Sequence, residues 1–171
     1  MKHFAAEFGK PAESDWTPEE LLLHEIDYRL PELDETVAIA LGSVLLARAT
    51  AGSLPIAIEV HVHGRLIFRA ALPGSDREND RFIAGKLHYV SEADHSSLYG
   101  SKIVRNGMAA TGAADTRVPE SGPFGGAFPL RTTSGEVAGV AVISGLPETD
   151  DHAMILWGLR QLRLPGSEEL T

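Results

Sequence analysis

The stretch Pro55-Ile56-Ala57-Ile58-Glu59-Val60-His61-Val62-His63-Gly64-Arg65-Leu66-Ile67-Phe68-Arg69-Ala70-Ala71-Leu72 decides the fold. Ile56, Ile58, Val60 and Val62 recur with the two-residue period of a strand and face one way. Ala57, Glu59 and His61 face the other way. His63-Gly64 reads as a tight turn, and Arg65 to Leu72 as the returning strand, ended by Pro73-Gly74-Ser75-Asp76. Strands joined by so short a turn are antiparallel. A second such unit lies downstream: Gly125 to Arg131 as a strand, Thr133-Ser134-Gly135-Glu136 as a turn, and Val137 to Ser144 as its partner.

The flanking segments are helical, with one short exception. Thr17, Pro18 and Glu20 form a capping box that predicts a helix from Pro18 to about Glu25. Ile26, Tyr28 and Leu30 then alternate with Asp27 and Arg29, which predicts a short strand limited by Pro31. Asp34 caps a helix through about Thr50, with Val37, Leu41, Val44 and Leu45 on one face and Gly52 as the stop. Its Ala38, Ala40, Gly42 and Ala47 keep it slim, as though something packs closely against it. Asp76 to about Val90 and Ser96 to Arg105 predict two more helices. Residues 106–124 read as a long loop rich in glycine and proline. A last helix runs from about Asp150 to Leu162. Hairpins interleaved with helices predict a single α+β domain, an antiparallel sheet flanked by helices, over residues 17–163. Residues 1–16 and 164–171 read as tails, and no repeat or interdomain linker is evident.

The composition excludes several classes. With no cysteine in 171 residues, no disulfide, iron–sulfur cluster or thiolate nucleophile is available. The net charge of −9 argues against nucleic acid, whose binding needs clustered Lys and Arg. That charge is uneven: residues 1–35 hold ten acidic and three basic side chains, leaving a nearly neutral body. The longest uncharged apolar stretch, Thr36 to Ala47, is too short to span a membrane. The first residues lack an apolar signal core, so the expected location is the cytoplasm.

Candidate chemistry is scattered. Glu59, His61 and His63 alternate on one strand and form a thinkable zinc set without a fourth ligand; the plainer reading is a solvated sheet face. His95-Ser96-Ser97 stands at a helix start, where a serine caps the free N–H groups. A nucleophile reading lacks the G-x-S-x-G elbow. Gly122-Pro123-Phe124-Gly125-Gly126-Ala127-Phe128-Pro129 permits close approach of a ligand or chain, and Phe124 and Phe128 offer flat apolar surface. Asp150-Asp151-His152 places carboxylates where they complement a helix dipole. Lys86 is the lone base of an apolar helix face: it can meet an anionic ligand, although a solvated lysine is the simpler expectation.

Taken in order, these segments form one spaced series: Ala70-Ala71-Leu72-Pro73-Gly74, Asn79-Asp80, Lys86, His95-Ser96-Ser97, Gly125-Gly126-x-Phe128-Pro129-Leu130-Arg131, and Ser144-Gly145-Leu146-Pro147 followed by Asp151-His152. The series, spanning roughly residues 18–162, resembles the uncharacterised UPF branch of the heme-degrading-domain superfamily. Relatives there include GlcG proteins, the heme-binding HbpS proteins and the C-terminal domain of PduO. The resemblance implies a profilin-like fold and a homo-oligomer, with the slim helix and the Gly125–Pro129 segment as contact surfaces. It implies a small-molecule ligand, heme or a related tetrapyrrole first. His95 or His152 would be the axial ligand, Lys86, Arg69 and Arg131 would meet the propionates, and Phe128 would add apolar surface. Phe82, Gly85 and Arg69 stand where branch members usually have tryptophan, arginine and histidine. The resemblance also allows a non-enzymatic assembly or adaptor protein that binds another protein.

Overall fold

The computed structural model describes residues 16–111 and 123–163. Its elements are α1 (Pro18–Asp27), α2 (Glu35–Ala51), β1 (Ala57–Val62), β2 (Arg65–Ala71), α3 (Arg77–Ala93), α4 (Ser97–Ala110), β3 (Ala127–Arg131), β4 (Val137–Ser144) and α5 (Glu148–Gln161). The four strands form one sheet in the order β2-β1-β4-β3. Every neighbouring pair is antiparallel, so the two hairpins lie side by side through β1 and β4. The α+β expectation is thus met.

Both faces of the sheet are covered. Ile56, Ile58, Val60 and Val62 pack with Leu41 and Leu45 of α2 and with Ile155, Leu156 and Leu159 of α5. On the opposite face Ala57, Ala127 and Val142 pack against Ile83 and Val90 of α3. Two covered faces explain why Glu59 is only 6% exposed, where the sequence suggested a solvated face. Its carboxylate accepts from Arg69, beside it on β2, and lies 2.8 Å from His61 Nε2.

Helix starts follow the cap chemistry. Thr17 and Glu20 make the reciprocal capping box of α1, and the Asp34 carboxylate accepts from Val37 N at 2.8 Å. Asp76 and Asn79 form an acidic variant of the same box at α3. The slim side of α2 is filled within the chain. A Cβ on Gly42 would stand 2.2 Å from the Phe68 ring, and one on Gly158 would stand 2.7 Å from Leu45.

Three expectations need correction. Of the strand expected at residues 26–30, Ile26 and Asp27 end α1, Tyr28 is its C-cap, and only Leu30 makes an isolated parallel bridge, to Thr132. Three alternating residues could not separate a period of 2 from 3.6, and Ile26 is exposed rather than inward. Trp16, placed in the tail by its polar neighbours, belongs to the core. Helix α4 runs five residues beyond Arg105, into the segment read as loop. Most of the expected loop, and the rest of both tails, lie outside the described residues.

Candidate functional site

Four parts of the spaced series converge on one cleft. Its walls are Asn79, Phe82 and Lys86 from α3, Phe124-Gly125 ahead of β3, and Ser144-Gly145-Leu146 with Glu148 and Asp151 around the start of α5. The volume is about 300 Å³, at the small end of the range for ligand cavities. Phe82 and Phe124 meet edge to face at 5.2 Å and form its apolar side.

Lys86 is only 4% exposed, so the solvated-lysine expectation is overturned. Helix α3 lies on the sheet, and position 86 falls on the face that looks at the end of β4. There Nζ donates to the Ile143 carbonyl at 2.7 Å and to Asp151 Oδ2 at 2.9 Å. Asp151 Oδ1 accepts from Leu146 N at 3.1 Å, so this carboxylate ties the incoming loop to α5 as well as to Lys86. Burial pushes the Asp151 carboxyl up to about 6, with Lys86 pulling against that rise. Desolvation disfavours the ionised form, and the nearby cation favours it.

The two glycines are required here. Gly126 has φ +121°, and a Cβ on it would stand 2.5 Å from the Ile143 carbonyl oxygen, 2.6 Å from Lys86 Nζ and 2.8 Å from Asp151 Cβ. A Cβ on Gly125 would strike Leu98 and Glu148. Glu148 accepts from Gly125 N at 3.0 Å and from Ser101 Oγ at 2.9 Å, and pairs with Arg105 at 2.6 Å. The glycine segment is therefore close-packed within the chain.

The other candidate residues fall into two further groups. His95 Nδ1 lies 3.0 Å from Glu25 Oε2, and Arg131 reaches the same oxygen at 3.4 Å. Arg131 also donates to the Asp94 and Gly135 carbonyls. Glu25, buried on α1, thus joins His95 to Arg131; no sequence signal marked it, because an acidic residue in a polar helix turn is unremarkable until something folds over it. His152 and Phe128 form the third group. The His152 ring meets Phe128 at 5.5 Å, Trp16 at 5.6 Å and His24 at 5.4 Å. Its Nε2 lies 3.2 Å from His24 Nδ1, while its buried Nδ1 has no hydrogen-bond partner among the described residues. Complete burial and the neighbouring His24 hold His152 well below the ordinary histidine pKa.

The remaining motifs have local explanations. Ser96 caps α4, and the Ser97 hydroxyl accepts from Ala127 N at 2.9 Å, tying α4 to β3. His63 occupies the turn at φ +46° and so leaves the face that carries Glu59 and His61. Arg69 is held between Glu59 and Asp80.

The chain matches the family described as "Haem degrading protein HbpS-like" over residues 33–160. It belongs to that family. A UPF0303 protein of Streptomyces avermitilis is 33% identical over 143 residues, covering 83% of this chain and 88% of that protein. One from Schizosaccharomyces pombe is 34% identical over 130 residues, covering 74% of this chain and 73% of that protein. Among solved structures, the Ybr137w protein superposes with a TM-score of 0.71 at 24% identity, covering 92% of this chain and 91% of that one. A complex titled PduOC:Heme gives 0.59 at 17% identity, covering 77% and 95%. HbpS gives 0.54 at 11% identity, covering 80% and 93%. At these identities the structural likenesses establish the HbpS-like fold. No helix among the described residues is long and apolar enough to cross a membrane.

Proposed function

We propose that this HbpS-like chain is a small-molecule-binding protein whose ligand occupies the cleft between α3, the Phe124–Gly125 segment and the start of α5. The observation that carries the reading is the convergence there of residues from three separated stretches of the chain around the buried Lys86–Asp151 pair. An apolar wall with a few fixed polar groups is the usual make-up of a ligand pocket. The test is a fragment screen followed by amide chemical shifts in the labelled protein. Binding should move resonances of residues 79–86, 124–126 and 144–151 together. A chemically diverse library that leaves all three segments unmoved refutes the reading.

Heme is a second reading, favoured by the family description and by one local arrangement. Among the described residues no imidazole lines the cleft, and His152 is sealed behind Trp16, His24 and Phe128. His95 has the chemistry of an axial ligand. Its ring is 39% exposed with Nδ1 on Glu25, and a carboxylate behind a histidine fixes its tautomer and strengthens the other nitrogen as a donor. Bound heme would supply oxygen-dependent redox chemistry at its iron. For its part, the chain would offer His95 as ligand, Glu25 to orient it and Arg131 as the nearest cation to a propionate. Hemin titration should give a saturable, shifted Soret band that His95→Ala abolishes and His152→Leu preserves; a flat difference spectrum at micromolar hemin removes this reading.

A cytoplasmic homo-oligomer is the state we expect. The surfaces first suggested for contact are consumed within the chain, but Leu23 and Ile26 on α1, Ile39 on α2, Leu66 on β2 and Ile103 on α4 are exposed and supply apolar area. Light scattering should report more than one copy per particle.

A further inference from the structure

We infer that the ligand of the cleft is a monocarboxylate on a planar apolar body, its carboxylate received by Lys86 Nζ and the Ser144 hydroxyl and its body by Phe82 and Phe124. This rests on the reading of the cleft as the binding site and names what fits it.

The argument is a count of hydrogen-bonding capacity. Each side-chain acceptor in the wall is already engaged. Asp151 accepts from Lys86 and Leu146 N. Glu148 accepts from Gly125 N, Ser101 and Arg105. The Asn79 carbonyl accepts from Asp76 N at 2.8 Å. The donors are different. An ammonium has three N–H groups, and Lys86 spends two, on Ile143 O and Asp151. The third has no acceptor among the described residues. Asn79 Nδ2 approaches Ser144 Oγ at a long 3.5 Å, which leaves the Ser144 hydroxyl proton and an Asn79 N–H to give. Among the described residues the unspent donors of the cleft therefore belong to Lys86, Ser144 and Asn79. Leaving donors buried without partners costs free energy, and an acceptor-rich ligand group recovers it.

Charge selects within acceptors. Among the described residues of the wall Lys86 is the one cation; it is paired with Asp151, and Glu148 is paired with Arg105. A single negative charge gains a charge-assisted hydrogen bond from Lys86. A phosphate or dicarboxylate brings a second charge against Asp151 with no further cation to meet it. The absence of a side chain at Gly126, whose Cβ would stand 2.6 Å from Nζ, is what lets the ammonium sit against Asp151 and the Ile143 carbonyl.

The test compares three probes that share one ring: benzoate, benzamide and benzylamine, titrated into the labelled full chain at neutral pH. Benzoate is expected to move the Lys86, Ser144 and Leu146 amides saturably, at least about tenfold more tightly than benzylamine and more tightly than benzamide. Ser144→Ala, which keeps the buried ion pair, should weaken benzoate about threefold or more and leave benzylamine unaffected. Equal or tighter binding of benzamide or benzylamine overturns the carboxylate assignment. So does silence of all three probes. If fragments of other chemistry still move the cleft amides, only this inference falls; if none does, the cleft reading falls with it.

Discussion

Replacing Lys86 with methionine keeps an unbranched apolar stem but deletes the ammonium that meets Asp151 at 2.9 Å and the Ile143 carbonyl at 2.7 Å. Asp151 stays fully buried, with backbone N–H groups of Leu146 and Gly145 as its remaining partners. Removing one member of a buried pair costs about 3–5 kcal/mol, because the other charge is left without compensation. The pH dependence separates this cause from simple loss of packing. Burial already holds the folded-state carboxyl at about 6, above the ordinary aspartate value of 3.8, and Lys86 is the main influence in the other direction. A carboxyl raised on folding keeps a proton that the unfolded chain has released, so its contribution to stability declines as pH rises from the unfolded value through the folded one. Without Lys86 the folded value climbs further, and each added unit costs about 1.4 kcal/mol once the pH exceeds it. Urea unfolding of both proteins at about pH 5 and about pH 8 measures this. The variant should lose about 3–5 kcal/mol at the higher pH and at least about 1.4 kcal/mol less at the lower. Comparison with the parent at each pH cancels the titration of His152. Equal losses at both pH values, or a loss below about 1 kcal/mol at the higher, would refute the assignment of a charged, interdependent pair.

His152 predicts the opposite slope. Its folded-state pKa is depressed well below 6.5, so the unfolded chain takes up a proton first and stability falls as pH drops through 6.5 and below; His152→Leu should flatten that acid limb in thermal unfolding. The glycines give a paired test. Gly126→Ala, at φ +121° and with three atoms inside 3 Å of the new Cβ, should cost more than about 2 kcal/mol. Gly85→Ala, in the middle of α3 with nothing within 4 Å of a Cβ, should stabilise by about 0.5–1 kcal/mol. If both alanines are tolerated equally in calorimetry, the strain assigned to Gly126 is wrong.

The elements were largely legible because they depend on neighbours in the chain. Period-2 alternation before His63-Gly64 marked the first hairpin and the turn at Thr133-Ser134-Gly135-Glu136 the second, and Thr17, Asp34 and Asp76 marked helix starts. Local patterning failed where it was too short, at Ile26–Leu30, and where a residue's fate was set by something distant, at Trp16.

The site divides along the same line. From the sequence alone came the α+β class, the chain's lack of thiol chemistry, the family resemblance and the prominence of Lys86, His95, Phe128, Arg131 and His152. Only the tertiary structure decided how these residues group. Lys86 pairs with Asp151, 65 positions away; His95 meets Arg131 through Glu25; Phe128 and His152 close on Trp16 and His24. A side chain's burial and partner depend on which faces two elements present to each other, and the antiparallel order β2-β1-β4-β3 with helices on both faces sets that. The same lysine that reads as a solvated base along the chain is, once α3 lies across the end of β4, a buried donor that ties the helix to Ile143 and Asp151.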